Sequence, residues 1–381
     1  MGTPSSKPIG IPQAPLKLPV ADAHGAFAEA RAESQPSEAR SSSAVEARAP
    51  RKSTLELDAK RRALFYLMSG ILHALSLLPD FMLYQLGELG GFIGFWLDRR
   101  HVKIGMKNLS IAFPDRSEEE RRRILRASYI NLGKGAAEYV RLAGFFYTRL
   151  RDRVAYDRYR YWEEVWQKYP GKGIVVLSAH FGNFELLACA HAMHGHQISL
   201  VHHTQRFLAG DALMTFARER CGVEILRKHS AARAVLKALR SGELVGVPFD
   251  QNAKRSEAVW VPFFGEPAAT TSGLARIVAM SGAPVIPAFI VREKDGRHHR
   301  IEIQDEIPIQ RTSDAEADVL ENTRRFVKAI EDMVRRYPEQ FLWTHRRYRT
   351  RPRGLPPVYD DQIAKHRKSD ERHFSNEFGD N

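Results

Sequence analysis

The 381-residue chain carries 58 Lys and Arg against 45 Asp and Glu, a formal charge of +13, and 43% of its residues are hydrophobic. That much apolar side chain excludes a wholly disordered protein and suffices for one large folded domain or two modest ones. The positive charge favours an anionic partner (nucleic acid, lipid headgroups or a phosphorylated substrate), while two cysteines, Cys189 and Cys221, give no disulfide framework and fit a reducing cytosolic compartment. Residues 1–58 are rich in Ala, Ser, Pro, Glu and Arg, with too few large apolar side chains to offset the entropy of ordering, and are predicted to be a disordered arm. The arm has no apolar core between a basic start and a small-residue end, so it is not expected to be a cleavable signal peptide.

Residues 59–100 hold two apolar runs, ALFYLMSGILHALSLLP (63–79) and FMLYQLGELGGFIGFWL (81–97), bracketed by Lys60-Arg61-Arg62 and Asp98-Arg99-Arg100. These are expected to form hydrophobic membrane-anchor helices, with the basic flank on the cytoplasmic side. A span needs about 20 apolar residues, and each run is short and carries a polar residue, His73 or Glu88. Shallow insertion, one tilted span and a buried hairpin of a soluble domain therefore stand as alternatives. The folded domain is expected over 101–350. It opens with a helical pattern over about 105–168, in which Ser117 and the glutamates after it form a capping signal, and Pro170-Gly171 breaks the chain.

Beyond that break the period changes. Short β-branched runs at 173–179 (GIVVLSA), 198–203, 223–226, 244–250, 284–292 and 299–304 alternate with helical patterns at 184–194, 211–221, 230–241 and 270–281. This alternation predicts an α/β fold with a largely parallel mixed sheet flanked by helices. A last amphipathic helix over about 315–336 precedes the basic segment WTHRRYRTRPR, and 351–381 reads as a polar basic tail.

In such folds the chemistry gathers where loops leave the carboxyl ends of strands. The first such loop is His180-Phe181-Gly182-Asn183, with Asn183 suited to cap the helix that follows. On one continuous helix His180 and Glu185 would point about 140° apart. With Gly182 and Asn183 between them, His180 sits on the loop and Glu185 in the first helical turn, so the two can converge. A neutral imidazole can take the proton of an attacking hydroxyl, and a carboxylate on its far nitrogen fixes the tautomer. The bland alternative is a loop histidine beside a glutamate that the helix dipole favours.

Four ordered blocks carry a resemblance that spacing alone does not: KNLSIAFPDRSEEERRRIL, HFGNFE, DQNAKRSEAVWVPFFGEPAATTSGLARIVAMSGAPVIPAFIVR and PEQFLWTHRRYRTRP. Together they resemble the lipid A biosynthesis (lauroyl/myristoyl) acyltransferase family over about 62–355. The resemblance implies a glycerolipid-acyltransferase-like fold, His180 as general base and Glu185 as its acidic partner. It further implies substrate-binding roles for Gly182, Asn183, Asp250, Gln251, Phe263, Phe264, Gly265, Thr271 and Arg292. Without the family, Phe263 and Phe264 read as core aromatics and Arg292 as a strand end. The departure lies after the second strand: many members have Tyr-Arg-Pro there, and this chain has Val201-His202-His203-Thr204, leaving His203 and Arg206 as the candidates for acceptor recognition. A metal held by His202, His203 and His180 is not expected, since neighbouring strand residues face opposite ways and no zinc-type spacing occurs.

The expected reaction is direct transfer without a cofactor. His180 deprotonates an acceptor hydroxyl, which attacks the thioester of acyl carrier protein or coenzyme A, with backbone N–H groups or a cation on the oxyanion. There is no GxSxG elbow, and neither cysteine adjoins a candidate base, so a covalent acyl-enzyme is not required. The acceptor is expected to be a glycolipid such as a lipid A precursor, or a lysolipid, at the inner membrane with the catalytic domain facing the cytoplasm. Arg346, Arg347, Arg349, Arg351 and Arg353 would suit anionic lipid heads or the acidic carrier. A lipid hydrolase and a non-catalytic membrane or nucleic-acid binder are the alternatives from other classes. Nucleic acid is not expected, because basic motifs interleaved with aromatics are missing.

Overall fold

The computed structural model describes residues 58–202, 204–227 and 231–360. The remainder of the expected arm and tail lies outside the described residues, as does the candidate His203. Four helices come first: α1 (Ala59–Leu75), α2 (Asp80–Leu97), α3 (Arg99–Ala112) and α4 (Glu118–Ala143). Ser117 caps α4 through the expected box, its Oγ accepting the Glu120 N–H while the Glu120 carboxylate accepts the Ser117 N–H. Then follow β1 (Val154–Tyr156), α5 (Tyr159–Lys168), β2 (Ile174–Ser178), α6 (Phe184–Met193), β3 (Ile198–His202), α7 (Leu208–Arg220), β4 (Glu224–Arg227), α8 (Ala231–Arg240) and β5 (Leu244–Pro248). Among the described residues there follow β6 (Ala258–Phe263), β7 (Glu266–Thr271), α9 (Gly273–Ser281), β8 (Val285–Arg292), β9 (His299–Ile303) and α10 (Ala315–Arg336).

Seven strands form one sheet in the order β1-β9-β8-β2-β5-β3-β4, with every neighbouring pair parallel except β8 and β9. Both faces are covered, which is why the central strands read as continuous apolar runs. Along β2, Val175 and Leu177 enter the core shared with Phe249, Phe289 and Phe326, whereas Ile174 and Val176 enter the one that holds Trp162, Leu186 and Ile290.

Three elements differ from the expectations. The stretch expected to be helical to 168 includes the short strand β1, which pairs with β9 more than 140 residues away; local periodicity carries no trace of such a partner. Residues 258–271 form the antiparallel hairpin β6–β7, so the helix expected from 270 starts at Gly273. The two apolar runs are helices of 17 and 18 residues, and among the described residues no helix is long and apolar enough to cross a membrane. The expected hydrophobic anchor, as a span, thus finds no support among the described residues. Instead α2 lies flat on α4, backbone to backbone: a Cβ added to Gly133 would sit 2.0 Å from the Gly87 carbonyl oxygen, and one on Gly91 2.3 Å from that of Tyr129. His73 packs its ring on Phe145, and Glu88, though exposed, pairs with Lys134 at 2.9 Å.

Candidate functional site

β2 and β5 are hydrogen-bonded neighbours in register, Ser178 opposite Pro248, and Phe249 N–H continues the ladder by donating to the Ser178 carbonyl at 2.9 Å. Two residues further on, at the carboxyl ends of both strands, stand His180 and Asp250. The Asp250 Oδ1 accepts from His180 Nδ1 at 2.9 Å and from the His180 backbone N–H at 3.1 Å. An ionised carboxylate only accepts, so Nδ1 carries the ring proton and Nε2 is left with its lone pair outward. The Gln251 side-chain amide lies 3.2 Å from that Nε2.

Electrostatics reinforce this arrangement. Burial by itself would push the Asp250 carboxyl up, but the His180 charge and the two hydrogen bonds outweigh it and hold the group down at about 2. Burial would likewise lower His180; Asp250 at hydrogen-bond distance, with a smaller push from Glu185, raises it above its ordinary value. His345 sits on the other side of Asp250, its Nε2 accepting the Asn252 N–H at 3.0 Å, and burial drives it down to about 4, which keeps it neutral.

The loop that carries His180 is clamped from the C-terminal segment. Gly182 N–H donates to the Gln340 carbonyl at 2.8 Å, Leu342 N–H donates to the His180 carbonyl at 3.0 Å, and Phe181 bridges to Phe341. Gly182 has φ +55°, and a Cβ there would meet the Ile290 carbonyl oxygen at 1.9 Å, so only glycine permits the loop to turn over β8. Asn183 then caps α6, its Oδ1 accepting the Leu186 N–H at 3.0 Å.

Glu185 occupies the first turn of α6, as expected, but the carboxylate on His180 Nδ1 is Asp250. The Glu185 carboxylate is held by Arg218 of α7, which donates from Nε at 2.8 Å and from a terminal nitrogen at 2.7 Å. Arg218 also donates to His202 Nδ1 at 2.9 Å, and His202 Nε2 donates to Asp211 at 2.7 Å. Arg218 was invisible in the sequence, since ALMTFARER reads as any amphipathic helix and only the tertiary contact with α6 selects that arginine.

Several predicted residues lie elsewhere. Arg292 is buried, pairs through two guanidinium nitrogens with Glu138 of α4, and thereby ties β8 to the helical layer. Glu138 is fully buried and further accepts from Tyr84 at 2.7 Å, His299 at 2.8 Å and the Asn183 side chain at 2.6 Å. Phe263 and Phe264 are core aromatics around the β6–β7 turn at Gly265, and Phe263 helps line a cavity of about 10 Å³ behind Asp250, room for about one water molecule and not for an acyl chain. Thr271 Oγ1 accepts the Gly273 N–H at 3.2 Å at the start of α9. Arg206 is exposed on the loop after β3. Of the basic C-terminal segment, Arg347 is buried and bonds the Ala269 carbonyl at 2.7 Å, and Arg351 pairs with Glu266, so these two hold loops together.

Comparison with known proteins now bears on this geometry. Residues 51–350 match the model of the bacterial lipid A biosynthesis acyltransferase family. The chain belongs to that family. Among its curated relatives, the lipid A biosynthesis lauroyltransferase of Escherichia coli K12 is 30% identical over 304 residues, covering 78% of this chain and 94% of that protein. The palmitoleoyltransferase of the same strain is 28% identical over 301 residues, covering 76% and 92% respectively, and its myristoyltransferase 25% over 287 residues, covering 75% and 86%. This family member is an acyltransferase, and the strand-end pair His180–Asp250 lies inside the matched span.

Proposed function

We propose that this acyltransferase moves a fatty acyl group from a thioester of acyl carrier protein or coenzyme A to a hydroxyl of a lipid A precursor or related glycolipid, with His180 as the general base. The observation that carries the reading is the His180 Nδ1 to Asp250 Oδ1 bond at 2.9 Å, which puts the ring proton on Nδ1 and leaves the Nε2 lone pair, 3.2 Å from the Gln251 amide nitrogen, as the base. As the acceptor oxygen attacks the thioester carbonyl, its proton passes to Nε2, and Asp250 stabilises the imidazolium that forms. Collapse of the tetrahedral intermediate expels the thiolate, which takes the proton from the His180 imidazolium and restores the neutral base, and no acyl-enzyme is needed.

Glu185 acts at longer range in this scheme. Its carboxylate adds to the negative potential on His180, and Arg218 fixes its place. The relatives' printed activities, lauroyl, palmitoleoyl and myristoyl transfer in lipid A biosynthesis, support an acyl group and a glycolipid acceptor. The inner membrane, with the catalytic domain on its cytoplasmic side, fits a lipid acceptor and a water-soluble donor. Lipid extracts of cells bearing the wild-type chain or His180→Ala, compared by mass spectrometry, test the proposal. Loss of one acylated glycolipid in the variant supports it; identical lipid profiles with the variant protein present refute it.

A further inference from the structure

The surface of the described residues is unevenly greasy. Thirteen of its twenty exposed large hydrophobic side chains lie between Leu64 and Leu97, on α1, α2 and their connection. Along α2 the two faces separate cleanly: Leu83, Tyr84, Gly91 and Phe95 are buried, whereas Leu86, Leu89, Phe92, Ile93 and Trp96 recur at three and four on the opposite side and are open. Trp96 and Leu97 are 53% and 77% exposed. Scattered apolar residues are ordinary on a surface, but a contiguous band of this size marks a contact with something apolar.

At the end of that band the chemistry changes to cationic. A groove of about 170 Å³ lies between the end of α2 and the start of α4, lined by Phe95, Trp96, Glu119, Arg122, Arg123 and Arg126. The Arg122 guanidinium packs over the Phe95 and Trp96 rings, 5.2 and 5.5 Å from their centroids. Glu119 is the carboxylate of the lining, and Glu120 acts on Arg123 from the same helical turn. Among the described residues no salt bridge of 4.0 Å or less reaches Arg122 or Arg126. Arg99 and Arg100, both exposed, follow directly on Leu97.

We propose that this groove binds the anionic headgroup of a membrane phospholipid, with the apolar band of α1 and α2 lying in the bilayer interface. Helices of 17 and 18 residues reach about 26 Å at 1.5 Å per residue, short of a bilayer core of about 30 Å, so they suit burial along the surface better than a crossing. An indole at the junction of apolar and charged surface suits the headgroup level, and guanidinium groups suit phosphate oxygens. An acidic protein would satisfy the arginines but would leave the adjoining apolar band without a partner, which is why lipid is favoured. The inference stands apart from the acyl-transfer reading, because binding is read without turnover.

The test is co-sedimentation of the full chain with vesicles of phosphatidylcholine alone or mixed with phosphatidylglycerol. Basic residues near an anionic surface contribute about fivefold each in partitioning, so the Arg122→Gln/Arg123→Gln/Arg126→Gln variant should bind the mixed vesicles roughly 100-fold more weakly while keeping its binding to neutral ones. A control with the same charge change on α8, Arg233→Gln/Lys237→Gln/Arg240→Gln, should bind as the wild type does. Quenching of Trp96 by brominated lipid, read as the difference between the wild type and Trp96→Phe, probes the same contact with all arginines in place. The proposal is overturned if the groove variant binds mixed vesicles like the wild type, if the control loses as much, if Trp96 is unquenched, or if the groove variant loses an acidic carrier protein and not the vesicles.

Discussion

Replacing Asp250 by Asn probes the site with almost no change in shape. The amide oxygen can keep the His180 backbone N–H that Oδ1 now accepts at 3.1 Å, so the loop should stay in place. What disappears is the negative charge 2.9 Å from Nδ1, the charge that raises His180 against the lowering effect of its burial. A carboxylate at that distance shifts a neighbour by about one to three pKa units, which at 1.4 kcal/mol per unit amounts to roughly 10- to 1,000-fold in stabilising the imidazolium. The expected result of Asp250→Asn is therefore a loss in kcat/KM of that size, measured as acyl transfer from a thioester donor to a lipid A precursor in detergent. In the wild type activity falls with acid as His180 protonates, at a midpoint above the ordinary imidazole value. In the variant burial dominates, and that acid limb moves to lower pH. In a His180→Ala background the same substitution should cost nothing further, because the two act as one unit. Asp250→Asn with more than half of wild-type activity and an unmoved acid limb would refute the assignment of Asp250 as the orienting carboxylate.

Glu185→Gln leaves the buried Arg218 charge uncompensated and should destabilise the fold by about 3–5 kcal/mol in denaturant unfolding, Arg218→Gln strands the half-buried Glu185 and should cost somewhat less, and the double variant should cost much less than the sum; simple additivity would mean that the pair contributes no coupling. Gly182→Ala forces a Cβ against the Ile290 carbonyl and an L residue into φ +55°, so a cost on the order of 3 kcal/mol or more is expected, together with loss of activity. A soluble, fully active alanine variant would contradict the close approach. Glu138→Gln strands the buried Arg292 charge and should lower the thermal midpoint strongly, whereas Arg206→Gln on the exposed loop should leave it unchanged. Asp250, held at about 2 against an ordinary 3.8, contributes stability present above about pH 4 and lost as the pH falls through 2; acid titration of the wild type against Asp250→Asn should show that loss only in the wild type.

The primary sequence determined the elements whose signal is local. The capping box at Ser117, the Asn183 cap, the apolar runs of β2, β5 and β8 and the period of α10 are each written in neighbouring residues, and they were enough to predict an α/β sheet with His180 at a strand end. Tertiary structure decided which charges meet. That Asp250 accepts the His180 Nδ1 hydrogen bond follows from β2 and β5 lying side by side in register, a pairing of segments 70 residues apart that no spacing encodes. Glu185 was placed correctly on α6, but its partner comes from α7, and the partner of Arg292 is Glu138 of α4. Residue type fixes what a carboxylate or guanidinium can do, while the low-dielectric interior, where a charge without hydrogen-bonding partners is costly, dictates which partner it must have.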